Sequence, residues 1–130
     1  MFKNVRQQGT VCAVLTQRLP QSGGPYWSAK GDPEFVPRPT QRARAALKSG
    51  MSHGEKLLLR ATWAVWNSGI PNAKVDFGAM LDTLDNRNLA MIGNLLVALS
   101  APGSSAIDAW IRQYDETGES LTSVLHDELD

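Results

Sequence analysis

From residue 40 onward, almost every apolar run in this chain is preceded by a side chain able to cap a helix. Thr40, Asp76 and Asp85 each stand one residue ahead of a run with helical spacing, and Ser52 with Glu55 three positions on fits the reciprocal capping box. A capping oxygen accepts a hydrogen bond from a backbone N–H that the first helical turn leaves unpaired, so such residues mark where helices start. Stops follow at Gly50, Ser68 to Pro71, Ala101 to Gly103, and Gly118. The punctuation predicts helices over 41–48, 55–67, 77–83, 86–99, from Ser104 or Ser105 to Tyr114, and 120–129. That is an all-α fold, a small helical bundle of about five helices within residues 40–130.

The apolar stripes say which faces are buried. Over 86–99, Leu89, Ile92, Leu95, Leu96 and Leu99 fall on one helical face. Ile107, Trp110, Ile111 and Tyr114 do the same on the next helix, and Leu121, Val124, Leu125 and Leu129 on the last. Residues 55–67 carry two stripes: Leu57, Leu58, Ala61, Ala64 and Val65, and on a second side Leu59, Trp63 and Trp66. Only Lys56, Arg60 and Asn67 mark a polar edge, so this helix is expected at the centre of the bundle.

Residues 1–39 read as an N-terminal arm on the helical domain 40–130. Val11, Val14, Leu15 and Leu19 have helical spacing, with Thr10 as cap and Pro20 as stop, although the β-branched content also suits a short strand. Pro20, Pro25, Pro33, Pro37 and Pro39, with Gly23, Gly24 and Gly31, exclude regular structure of useful length from 20 to 39. Tyr26, Trp27 and Phe35 are large aromatics that a simple disordered linker seldom carries. The expectation is an irregular arm whose aromatics pack into a groove, on this chain's helices or on a partner. Trp63, between Arg60 and Asn67, is either covered by that arm or open as an anchor for another chain.

Charge divides the chain. Residues 1–60 hold ten Lys/Arg against three acids, a balance of +7, and residues 61–130 hold three against ten, a balance of −7. Such halves either fold onto each other or present surfaces of opposite sign to partners. Cys12, the single cysteine, cannot form an intramolecular disulfide, no secretory leader is legible, and no apolar stretch reaches the roughly 18 residues a membrane span needs. A cytoplasmic, soluble protein without membrane association is the expectation.

No catalytic constellation is legible. His53 and His126 are about seventy residues apart in sequence. Asp76, Asp82 and Asp85 could gather around Mg²⁺, but Asp76 and Asp85 are better placed as caps. No nucleophile elbow or phosphate-cradling glycine loop is present. Residues 76–99 invite a helix-turn-helix reading, yet the second helix turns apolar after Asn86, Arg87 and Asn88, and the aspartates around it would face phosphates. Arg38, Arg42, Arg44 and Lys48 form a better nucleic-acid candidate, with Tyr26, Trp27 and Phe35 available for stacking on bases.

The sequence therefore points to a non-enzymatic protein–protein interaction module of the adaptor, inhibitor or immunity type. Tyr26, Trp27, Phe35, Arg60 and Trp63 are its expected partner contacts, and the partner is another protein or a second copy of the chain. No catalytic residue, metal ligand or cofactor is assigned. Nucleic-acid binding through residues 38–48 is the alternative, and a small enzyme with an unrecognised site the second.

Overall fold

The computed structural model of the chain describes residues 2–19, 24–28, 37–46, 53–66 and 76–116. The helix expected over 120–129 lies outside them, as do Phe35, Lys48, Ser52 and His126. The described residues form six helices and no strand: α1 Val5–Thr16, α2 Gln41–Ala46, α3 His53–Trp66, α4 Phe77–Thr83, α5 Asn86–Ser100 and α6 Ser105–Tyr114.

Three of the predicted caps, Thr40, Asp76 and Asp85, hold, while Ser104 stands ahead of α6 without a capping hydrogen bond from its side chain. Asp76 Oδ1 accepts from the Ala79 amide at 3.0 Å and Asp85 Oδ1 from the Asn88 amide at 2.8 Å. Thr40 Oγ1 accepts from the Ala43 amide at 3.4 Å while its hydroxyl lies 2.8 Å from the Pro25 carbonyl oxygen. Each aspartate satisfies an orphan amide and places negative charge at the positive end of a helix.

The first helix departs from expectation. It starts not at Thr10 but at Val5, capped by Asn4, whose side chain accepts from the Gln7 amide at 2.8 Å. Thr10 is inside the helix, its hydroxyl donating to the Arg6 carbonyl at 2.7 Å. Residues 9–16 are all buried, so tertiary burial outweighs the modest helix propensity of Thr10, Val11, Val14 and Thr16.

Far from being an appendage, α1 is the most enclosed helix and shares one core with α3, α5 and α6. It runs antiparallel to α3. Gln8 Nε2 donates to the Val65 and Trp66 carbonyls at the end of α3, at 2.9 and 3.0 Å, and the Cys12 thiol donates to the Thr62 carbonyl at 3.7 Å. It runs parallel to α6, tied at both ends. Gln7, fully buried, donates to Asp108 Oδ1 at 2.7 Å and to the Ser104 carbonyl at 3.2 Å. Ten residues on, Gln17 donates to the Tyr114 carbonyl at 2.6 Å and accepts from the Glu116 amide at 2.8 Å.

The described parts of the Pro/Gly-rich stretch are held down. Trp27 and Pro39 form an isolated antiparallel bridge, with Ser28 N donating to the Arg38 carbonyl and Thr40 N to the Tyr26 carbonyl at 2.9 and 3.0 Å. Pro37 crosses α1 directly over Gly9. A Cβ at that position would come within 2.2 Å of the Pro37 carbonyl oxygen, so only glycine permits the approach. The two oppositely charged halves meet at Glu116, whose carboxylate binds Arg18 at 2.7 Å and also binds Arg87.

A candidate docking groove

The two apolar stripes of α3 have different fates. Trp63 and Trp66, on one side, are covered by the arm. The Trp27 ring packs edge-on against both, with centroids 5.5 and 5.8 Å away. Tyr26, Trp27 and Trp63 are only 5, 3 and 6% exposed. Arg42 lies over the Tyr26 ring at 4.0 Å and also donates to the Gly24 carbonyl, while Arg44 lies 6.0 Å over Trp63. Three residues expected at a partner interface, Tyr26, Trp27 and Trp63, thus lie in one interior cluster, with half-buried Arg42 and exposed Arg44, both nucleic-acid candidates, over its ring faces. The indole N–H groups of Trp27 and Trp63 are buried there with no acceptor among the described residues. Arg60 is half-buried on α3, and Arg38 is exposed.

The other stripe opens. Ala61, Ala64 and Val65 of α3, Leu15 and Gln8 of α1, and Ile92, Leu95, Leu96 and Leu99 of α5 wall a groove of about 440 Å³, with Phe2 and Phe77 contributing at its ends. Its origin lies in α5. The seam α5 packs inward is Met91, Ile92, Leu95 and Ala98, all buried; of the expected face, Ile92 and Leu95 belong to it, Leu89 and Leu99 are half-buried beside it, and Leu96 is turned out. Trp110 fixes this orientation by donating its indole N–H to the Met91 carbonyl at 2.8 Å. Leu96 is left 50% exposed, and it is joined on the surface by Phe77 at 58%, Leu81 at 71% and Val97 at 68%.

Among the described residues Gln8 is the one polar member of the lining, and both hydrogen bonds of its amide nitrogen go to α3 carbonyls. No titratable side chain among the described residues lines the groove. Such a surface removes apolar groups from water and does nothing to protons.

The other candidates do not converge. A more polar cleft of about 290 Å³ lies between the start of α3 and the start of α5, with Glu55, Asp85, Asn88 and Arg18 in its wall. Asp85 is engaged as a cap and Arg18 in the ion pair with Glu116. Asp76, Asp82 and His53 are exposed, and among the described residues no three His, Cys, Asp or Glu side chains gather as a metal site. Arg6 and Arg18 do not activate Cys12: the thiol is buried, and burial pushes it well above its usual range. Glu116 moves the other way, its carboxyl held below the usual range by the hydrogen bond from Arg18 and the charge of Arg87.

No family model, curated protein or solved structure matches this chain. Among the described residues no helix is long and apolar enough to cross a membrane.

Proposed function

We propose that this chain is a non-enzymatic protein–protein interaction module, of the adaptor, inhibitor or immunity type, working in the cytoplasm. Its docking surface is the groove between α1, α3 and α5, which receives an apolar helix or extended segment of a partner protein. The observation that carries this reading is the continuity of the groove with exposed Phe77 and Leu96 on its rim. Contiguous exposed apolar surface on a small protein marks an interaction site. The basic and acidic halves supply charge that orients the encounter, while the apolar groove supplies the affinity.

Tyr26, Trp27 and Trp63 serve this function as scaffold, holding α3 so that its opposite stripe faces the groove. The test compares wild type with Leu96→Glu in a sizing and affinity-capture experiment. Leu96 is half exposed, so the fold should persist by circular dichroism while a partner protein, or a second copy, is lost. Retention of the same partner by the variant would overturn the reading. The alternative, nucleic-acid binding through Arg38, Arg42, Arg44 and Lys48, draws support from the exposure of Arg38 and Arg44. It is weakened by the engagement of Arg42 with Tyr26 and Gly24. Binding that falls steeply with salt and drops in Arg38→Ala/Arg44→Ala would favour it.

A further inference from the structure

We propose that the segment this groove receives is an amphipathic α-helix of the partner protein, with Lys or Arg flanking its apolar stripe. This rests on the reading of the groove as a docking site and adds the chemistry of the occupant.

The first argument is the backbone. A segment laid into the groove turns part of its main chain towards the wall, where each N–H and C=O needs a new partner in place of water. The described wall offers almost none. Its α3 and α5 side chains, such as Ala61, Val65, Ile92 and Leu96, are apolar, and the one polar lining residue, Gln8, already spends its amide nitrogen on the Val65 and Trp66 carbonyls. An extended segment would leave its inward groups unpaired. A helix keeps its hydrogen bonds within itself and presents only side chains. The floor suits one, because Ala61 and Ala64 are short enough for a helix axis to approach within the ~8–10 Å of ordinary helix packing.

The second argument is charge on the rim. Phe77 and Leu81, one turn apart on α4 and 58 and 71% exposed, carry the apolar surface of the groove along that helix. An exposed aspartate adjoins each: Asp76 precedes Phe77, and Asp82 follows Leu81. No charged residue occurs from Asn88 to Ile107, so α5 does not offset them beyond its first turn. Arg87, in that turn, lies ~140° round the helix from Ile92 and is bound to Glu116. Among the described residues, Lys3 beside Phe2 is the one exposed base next to a lining residue. Bases on an incoming helix therefore meet opposite charge on the α4 side, and acids meet like charge. A second copy docked by this same face about a two-fold axis would bring two sets of these aspartates together, which favours a different chain as occupant.

Three synthetic peptides of about 18 residues test this: an amphipathic helix with leucines on one face flanked by lysines, the same helix with glutamates for lysines, and a scrambled lysine peptide. An environment-sensitive fluorophore on Leu96→Cys reports binding in the full chain, where buried Cys12 takes no label. The lysine helix should bind about tenfold tighter than the glutamate helix at low salt, and about 0.5 M salt should remove most of that difference. Its binding should shift the fluorophore to the blue and raise helical circular dichroism. Asp76→Asn/Asp82→Asn retains a competent cap at residue 76 and should weaken the lysine helix several-fold. Equal binding of the two helices, equal binding of the scrambled peptide, no gain of helix, no fluorophore shift or an unchanged affinity in the double variant overturns the proposal. So does a chain that sizes as a dimer the lysine helix fails to dissociate. Such failures are distinguishable from failure of the docking reading, because Leu96→Glu would still lose a partner that the groove holds in another form.

Discussion

Two glycine-to-alanine changes in helix interiors should shift stability in opposite directions. Helix propensity alone favours alanine at each by ~1 kcal/mol. At Gly93 in α5 an added Cβ meets nothing within 4 Å, so Gly93→Ala should keep that gain. At Gly9 in α1 the same atom would lie 2.2 Å from the Pro37 carbonyl oxygen and 3.1 Å from its carbon. Backbone is on the other side of this contact, so relief requires moving the 37–40 segment, with its bonds to residues 25–28, away from α1. Forced overpacking of this kind costs typically ~1–3 kcal/mol, and more when backbone must shift. Because backbone must shift here, the upper part of that range, ~2–3 kcal/mol, applies, and subtracting the ~1 kcal/mol propensity gain leaves Gly9→Ala destabilised by ~1–2 kcal/mol. For a domain of this size that lowers Tm by roughly 3–12 °C, while Gly93→Ala raises it by roughly 3–6 °C. Thermal and urea unfolding followed by circular dichroism read both. A Gly9→Ala variant as stable as Gly93→Ala would mean that Pro37 does not lie across α1, and the account of the held arm would fail with it.

Trp27 offers a second comparison. Trp27→Ala removes the cover from Trp63 and Trp66 and should cost ~3–5 kcal/mol in urea unfolding, whereas Trp27→Phe keeps a ring and removes an unpaired buried N–H, so its cost should stay near ~1 kcal/mol. Cys12 should resist thiol reagents in the folded chain and react only on unfolding, at a rate that tracks global opening. Because its folded pKa is raised, its contribution to stability is intact below the unfolded value of about 9.0 and declines as pH rises beyond it. Cys12→Ala should flatten that alkaline decline in a pH series of denaturation curves, and an unchanged slope would contradict the burial.

Most of the fold was legible because caps are local. Thr40, Asp76 and Asp85 each stand directly before the helix they start, and the expected bounds of α4 and α6 agree with those observed. The start of α1 was missed although a signal was there: Asn4 with Gln7 three residues on follows the capping-box spacing. Gln7 Oε1 does reach back, accepting from the Lys3 amide at 2.6 Å. Fully buried Gln7 and Thr10 interrupted the apolar pattern, and their partners, Asp108 and the Arg6 carbonyl, include one a hundred residues away. The groove was hidden for a different reason. Periodicity finds apolar stripes but cannot rank two of them on one helix. On α5 the expected face and the buried seam share Ile92 and Leu95, and the turn towards Met91 and Ala98 and away from Leu96 is made by packing against α6, which no local pattern records.

The groove follows from side-chain size on α3. On one side of that helix Trp63 and Trp66 project far enough for a single arm residue, Trp27, to close the core over them. On the other side Ala61 and Ala64 are short, and α5 turns its larger leucines partly outward rather than into the space they leave. A core under selection for stability alone fills such a space, because packing it recovers both transfer energy and dispersion. Here the space remains open beside exposed Leu96 and Phe77, a local departure from the packing rules that the rest of the chain obeys. Departures of that kind concentrate where a protein meets something else. The contrast lies within one helix: its tryptophan face is closed by Trp27, and its alanine face opens into the groove that we propose as the docking site.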